Sequence, residues 1–173
     1  AGFGAMDRIA LENALAGRLA QVSLDITENL FALKGQAATA ELPLLFQLLH
    51  ACIQDPGYRS EALETAFRRL EQRYQSLNHS VEGMMQLGGQ RFLAGGDSRF
   101  GWPQWPRMRQ LTLEEIKAWF GSQLIHAPLE LAVVGDFDPD QVVALAACYL
   151  GSLPQRGSIV EVTSRPSPQF PVG

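Results

Sequence analysis

Basic residues are in the minority in this sequence: 14 Lys and Arg stand against 18 Asp and Glu, a net charge of -4. No cation excess is left to neutralise phosphates, so a nucleic-acid partner is not expected. Long apolar runs are also missing. Stretches such as Leu44 to Phe46 fall far short of the ~20 residues that cross a bilayer, and membrane insertion is not expected. Cysteine is scarce, with only Cys52 and Cys148. They form no CxxC pair and lie in apolar helical patterns, which reads as two buried free thiols rather than a disulfide. The opening Ala1-Gly2-Phe3-Gly4 lacks the charge and apolar stretch of a targeting segment, and the first methionine is Met6. The chain is therefore expected to be a piece of a longer polypeptide. What is present is 173 residues, 46% of them hydrophobic, which suffices for a real core without disulfides or a structural metal and excludes the disordered class.

Met6, Ile9, Ala10, Leu11, Ala14 and Leu15 recur at helical spacing before Gly17. Val22 to Ile26 and Leu30 to Lys34 alternate in polarity around Thr27-Glu28-Asn29, which predicts an antiparallel hairpin. Helices follow at about Ala40 to Ile53, with Pro43 tolerated in the first turn, and at about Glu61 to Leu77, with a stripe of Leu63, Phe67, Leu70, Tyr74 and Leu77. Another is expected from Val81 to Ala94, then a loop rich in aromatics, Gly and Pro up to Arg109. Thr112-Leu113-Glu114-Glu115 is a capping box opening a helix whose Ile116, Trp119 and Phe120 should line a buried face. Leu129 to Val134 reads as a strand, and Asp138-Pro139 starts a helix that Gly151 and Pro154 stop. The proline-spaced stretch from Gln155 to Gly173 reads as a linker.

Three histidines, His50, His79 and His126, are the whole supply of imidazole. A zinc site wants two of them on one helical face plus a third donor. No His-x-x-Glu-His or His-Glu-x-x-His pattern exists; in His79-Ser80-Val81-Glu82 the next residue is Gly83 rather than a histidine. His79 reads as a turn residue, Glu82 as a first-turn charge, His50 as a core-boundary residue, and His126 as part of a connection beside Pro128. No serine has a Gly-x-Ser-x-Gly setting and neither cysteine a catalytic signature. Gly2-Phe3-Gly4 and Gly95-Gly96-Asp97 read as turns rather than nucleotide or phosphate loops, and Asn78-His79-Ser80 as a helix junction rather than a glycosylation acceptor. Phe100, Trp102 and Trp105 with Arg99, Arg107 and Arg109 could stack bases or hold a peptide. On an acidic chain they read better as a loop anchored by aromatics onto the sheet.

The order of the pieces carries a resemblance. The segments LAGRLAQVSLDI, ALKGQA, FQLLHACIQDPGYRSEALETAFRRL, GGDSRFGWPQW and LTLEEIKAWFGSQLIHAPLELAVVGDFDPDQVVALAACYLGSLP, in that order, resemble the pitrilysin/insulinase family of zinc peptidases from about Gly2 to Pro154. The resemblance is strongest to the first domain of the non-catalytic half of long bacterial members. It implies an α+β fold, a mixed and largely antiparallel sheet packed by helices on one face, as in a mitochondrial-processing-peptidase-like metallohydrolase domain. The first strands and first helix of that fold would lie outside the chain. It also implies a division into a non-catalytic domain, residues 1–154, and a linker, residues 155–173, leading to a following domain.

In the family, zinc is held by His-x-x-Glu-His upstream of the part matched by Gly2, and a later glutamate lies on the helix matched by Glu61 to Leu77. Glu64 and Glu71 occupy that helix here; without histidines either is solvated surface. The family's substrate-gripping Arg and Tyr belong to the domain after Gly173. The resemblance thus implies no catalytic, metal or assigned substrate-binding residue in this chain, and zinc only in the parent enzyme. The function it implies is a wall of the chamber that encloses peptide substrates hydrolysed in another domain; the alternative is a domain of an inactive scaffold or partner subunit. Expected partners are other domains of the same polypeptide, peptide substrates, and another copy of the chain at exposed sheet edges. Family analogy alone points to the periplasm.

Overall fold

The computed structural model describes residues 2–27 and 30–157. They form two compact units, one from residues 2–58 and 117–157, the other from residues 59–116. The class is α+β, as expected.

In the first unit, α1 (Arg8–Ala14) starts at Asp7, whose carboxylate accepts the Ala10 N–H at 2.7 Å. Strands β1 (Ala20–Ile26) and β2 (Phe31–Ala37) pair antiparallel, with Val22 opposite Gly35 and Leu24 opposite Leu33. Alternation puts Ala20, Val22 and Leu24 with Leu33, Gly35 and Ala37 on one face, and Gln21, Ser23, Asp25, Lys34 and Gln36 on the other, where Lys34 pairs with Asp25. Helix α2 (Leu42–Gln54) enters from a 3₁₀ turn at Thr39–Glu41, with Pro43 in its first turn, and packs on the apolar face. A Cβ on Gly35 would lie 2.6 Å from Leu45 Cδ1, so the missing side chain is what lets the helix come this close. Leu42, Leu45, Phe46 and Leu49 form the core with Val142 of α8 (Pro139–Tyr149), and Phe46 is only 1% exposed. Asp138 caps α8 by accepting the Asp140 N–H.

Helix α7 (Leu113–His126) opens with the predicted capping box: Thr112 Oγ1 accepts the Glu115 N–H at 3.2 Å, and Glu115 accepts the Thr112 N–H at 2.8 Å. Its expected buried face needs correction. Ile116 and Phe120 are half-buried and Leu124 is buried, but Trp119 is 56% exposed, its ring 5.4 Å from that of Phe31. The expected strand at residues 129–134 is also corrected, since it pairs with no strand among the described residues. Strand propensity there has no neighbour to bond to. Val133 packs on the core while Val134 is 98% exposed. The sheet among the described residues is thus the β1–β2 pair.

The second unit is built on α3 (Ser60–Asn78), which buries Phe67 and Leu77. Ser80 caps the next helical segment by accepting the Gly83 N–H at 3.0 Å. That segment is α4 (Val81–Met84), a π turn at Met85–Gly89 and α5 (Gln90–Leu93), so the predicted helix exists but widens in the middle. The Leu87 carbonyl, in the wide turn, accepts the Trp102 N–H at 3.2 Å, and Arg91 donates to the carbonyls of Phe100 at 3.0 Å and Trp102 at 3.3 Å. A short α6 (Trp105–Arg109) follows.

Candidate functional site

The three histidines lie on three different helices or their ends. His50, on α2, is half-buried with Nδ1 2.7 Å from the Tyr149 carbonyl oxygen. His79 caps the end of α3, and Glu82 sits in the first turn of α4. His126 is the last residue of α7 rather than part of a connection, the helix having run further than expected. Glu64 and Glu71 are exposed on α3, where Glu64 pairs with Arg109 at 3.3 Å. Among the described residues no group of three His, Cys, Asp or Glu side chains converges to hold a metal. Among these residues a zinc ion finds no matching donor set.

Both cysteines are free. Cys52 is half-buried, and burial pushes its thiol up to about 11. Cys148 is exposed, contrary to expectation, because α8 turns that side away from the core. The aromatic strip is a packed anchor, but on helix α3 rather than on the sheet. The Trp105 ring lies 6.4 Å from Phe67 and 6.3 Å from Tyr74, Trp102 lies 6.5 Å from Tyr74, and the Arg109 guanidinium stands 4.7 Å from the centre of the Phe67 ring. Gly95 and Gly96 both have positive φ and form the turn read from their sequence.

The first unit carries an open depression of about 460 Å³ lined by Pro128, Leu129, Leu150, Leu153, Pro154, Arg156 and Gly157. It lies where the chain leaving α8 returns to the end of α7. Gly157 N–H donates to the His126 carbonyl at 3.1 Å, and Arg156 Nη1 donates to the Ala127 carbonyl at 3.0 Å. These donors satisfy carbonyls a helix end leaves open. Arg156 Nε and Nη2 are buried and have no hydrogen-bond partner among the described residues, and burial lowers the affinity of this guanidinium for its proton. Sequence reading passed over Arg156 because it sits in the stretch assigned to a linker; its only signal is a lone arginine two residues past Pro154. The rest of that stretch, from residue 158 on, lies outside the described residues, as do Glu28 and Asn29 of the hairpin turn.

Residues 110–173 match the family described as Peptidase M16 inactive domain. The chloroplastic stromal processing peptidase of Arabidopsis thaliana is 28% identical over 156 residues, and that of Pisum sativum 27% over 154. The matches cover 87% and 84% of this chain, which spans only 12% of the length of either relative. Among solved structures, the ferredoxin protease FusC, in complex with Arabidopsis ferredoxin, superposes with a TM-score of 0.73 at 19% identity, over 92% of this chain and 18% of that one. That likeness concerns the fold. The inactive-domain match over residues 110–173 and the processing-peptidase relatives agree with the pitrilysin/insulinase resemblance: this chain is similar to M16 peptidases and carries a match to their inactive domain.

Proposed function

We propose that this chain is a non-catalytic domain of an insulinase/pitrilysin-like zinc metalloendopeptidase, where it forms part of the wall enclosing peptide substrates hydrolysed at a zinc site in another domain. The observation that carries the reading is the match of residues 110–173 to the family's inactive domain. The relatives also support a protein or peptide as substrate, because one is a processing peptidase and FusC was solved with ferredoxin.

The surface suits a piece built against neighbours. Leu24 and Ile26 on β1, together with Leu129, Leu131 and Val134, leave apolar area in water that a monomeric domain would ordinarily cover. Other domains of the same polypeptide are the proposed cover, with the stretch beyond Gln155 leading into the next of them.

Two measurements test this. Elemental analysis of the purified chain is expected to find no stoichiometric zinc, and one tightly held zinc per chain would overturn the reading. In the full-length parent, a photo-crosslinking peptide substrate is expected to label this domain. Labelling confined to the other domains would remove it from the chamber wall.

A further inference from the structure

The helical segment from Val81 to Leu93 has one side turned to its own unit and one side turned away. Gly83, Leu87 and Arg91, four residues apart, form the inner row: Gly83 lies against Leu77, the Leu87 carbonyl accepts the Trp102 N–H, and Arg91 donates to the carbonyls of Phe100 and Trp102. Two further rows, Met84, Gly88 and Phe92, and Met85, Gly89 and Leu93, run along the open side. Met84, Met85, Phe92 and Leu93 are all exposed, Phe92 by 72%, and Val81 extends the face at its start. Rows of this spacing drift about 40° around a regular α-helix with each step, because four residues overshoot its 3.6-residue turn. The wide turn at Met85–Gly89 takes up that excess and sets the large side chains nearly in line. A Cβ on Gly88 would meet nothing within 4 Å, whereas Met85 Sδ lies 2.4 Å from where a Cβ on Gly89 would stand. The middle of the face is thus a shallow notch floored by glycine, with one sulfur over it.

We propose that this face pairs with the same face of a second copy of the chain, the two helical segments crossing antiparallel about a two-fold axis at Gly88 and Gly89. The order of the residues carries the inference, because it reads the same in both directions: two large side chains, two glycines, two large side chains, each group four residues from the next. An antiparallel copy therefore sets Met85 against the partner's Phe92, Met84 against the partner's Leu93, and glycine against glycine where the backbones come closest. A thioether on an aromatic ring is a favourable contact, and the axis makes it twice. Neither row contains a charged side chain, so the axis brings no like charges together. The size of the face agrees with a second copy. Its exposed side chains leave on the order of 500 Å² of apolar surface in water, toward the upper end for one patch on a monomer. Two such faces bury on the order of 1,000 Å², the low end for a specific interface, so the pair is weak and depends on concentration. A different domain of the same polypeptide would need no such symmetry in the face it covers. The inference stands apart from the wall reading and from the sheet edges, since the face lies on helices of the second unit.

Sedimentation equilibrium of the full chain tests the pairing. Between about 1 μM and about 1 mM the mass is expected to rise reversibly from that of the monomer toward twice that value, with a Kd on the order of 0.1 mM. Phe92→Glu and Met85→Lys are each expected to weaken association at least about tenfold, by setting a charge against an apolar side chain. An equimolar mixture of the two variants is expected to associate again. In the mixed pair the introduced ammonium faces the introduced carboxylate, while the unaltered Phe92 and Met85 meet on the other side of the axis. Both positions are exposed, and if either variant does not fold the concentration series on the unaltered chain decides alone. A monomer at every concentration would overturn the proposal and leave the face to another domain. Association that Phe92→Glu does not weaken would place the contact elsewhere, and a mixture no more associated than its components would refute the antiparallel register.

Discussion

The ring of His50 and the backbone of Tyr149 meet at 2.7 Å, Nδ1 to carbonyl oxygen, tying the middle of α2 to the last residue of α8. A carbonyl only accepts, so Nδ1 carries the proton in this contact. Gln47 Nε2 donates to the Tyr149 hydroxyl at 3.0 Å, which gives the two helices a second polar tie beside the apolar core. Replacing His50 by Phe keeps the ring but removes one of the carbonyl's two side-chain donors, the Ser152 hydroxyl remaining at 2.9 Å. Chemical denaturation should register a loss of about 1 kcal/mol. An unchanged midpoint would mean the contact adds nothing beyond packing.

The two thiols should separate kinetically. Burial pushes the Cys52 thiol up to about 11, which leaves it far less thiolate at pH 8 than an ordinary thiol. Cys148 is exposed. Iodoacetamide at pH 8 is expected to modify Cys148 in a fast phase that Cys148→Ser abolishes and Cys52→Ser spares. A fast phase surviving Cys148→Ser would contradict the burial of Cys52.

Acid should loosen the start of α7. The Thr112 N–H, and then its hydroxyl, hold the Glu115 carboxyl below the usual range. A carboxyl lowered in the folded state contributes stability above its unfolded pKa and loses it as pH falls through the folded value. Asp97, lowered by the side chain and backbone of Arg99, acts in the same direction. Amide exchange at Glu115 should therefore quicken on acidification below the ordinary carboxylate range. Thr112→Ala should bring the Glu115 titration back toward that range, and an unmoved titration would refute the hydroxyl's part in it.

Gly83 is buried where α4 crosses the end of α3. A Cβ there would lie 2.0 Å from the Leu77 carbonyl oxygen, which is backbone and has little room to yield. Gly83→Ala is expected to cost about 1–3 kcal/mol despite the better helix propensity of alanine. A stabilised variant in urea unfolding would show that the two helices separate freely.

Much of this was legible in the residues. Alternation around Thr27 predicted the hairpin; the first strand starts two residues earlier than expected, and the second starts one residue later and runs three further. The Thr112–Glu115 box and the Asp138 cap appear as read, because capping depends on side chains a few residues apart. Features that depend on distant partners were not legible. Leu129 to Val134 has strand composition, but a ladder needs a second strand that no local pattern supplies. Cys148 and Trp119 sit in apolar helices, and which side of each is covered is settled by tertiary packing. The bond from Arg156 to the Ala127 carbonyl forms only when the chain past α8 folds back on the end of α7.

The wide turn at Met85–Gly89 sets an angle. Each residue of a regular α-helix advances the next side chain by about 100°. One residue accommodated in a looser turn therefore rotates everything after it by that amount relative to an uninterrupted helix. Arg91 follows the turn, and its present bearing brings its guanidinium onto the carbonyls of Phe100 and Trp102. Removing Gly88 or Gly89 would restore the regular period and swing Arg91 off the loop. The same turn would lose the open Leu87 carbonyl on which Trp102 now rests. One inserted residue thus acts as a phase shift in the helix, and the seating of the tryptophan loop is written in that shift.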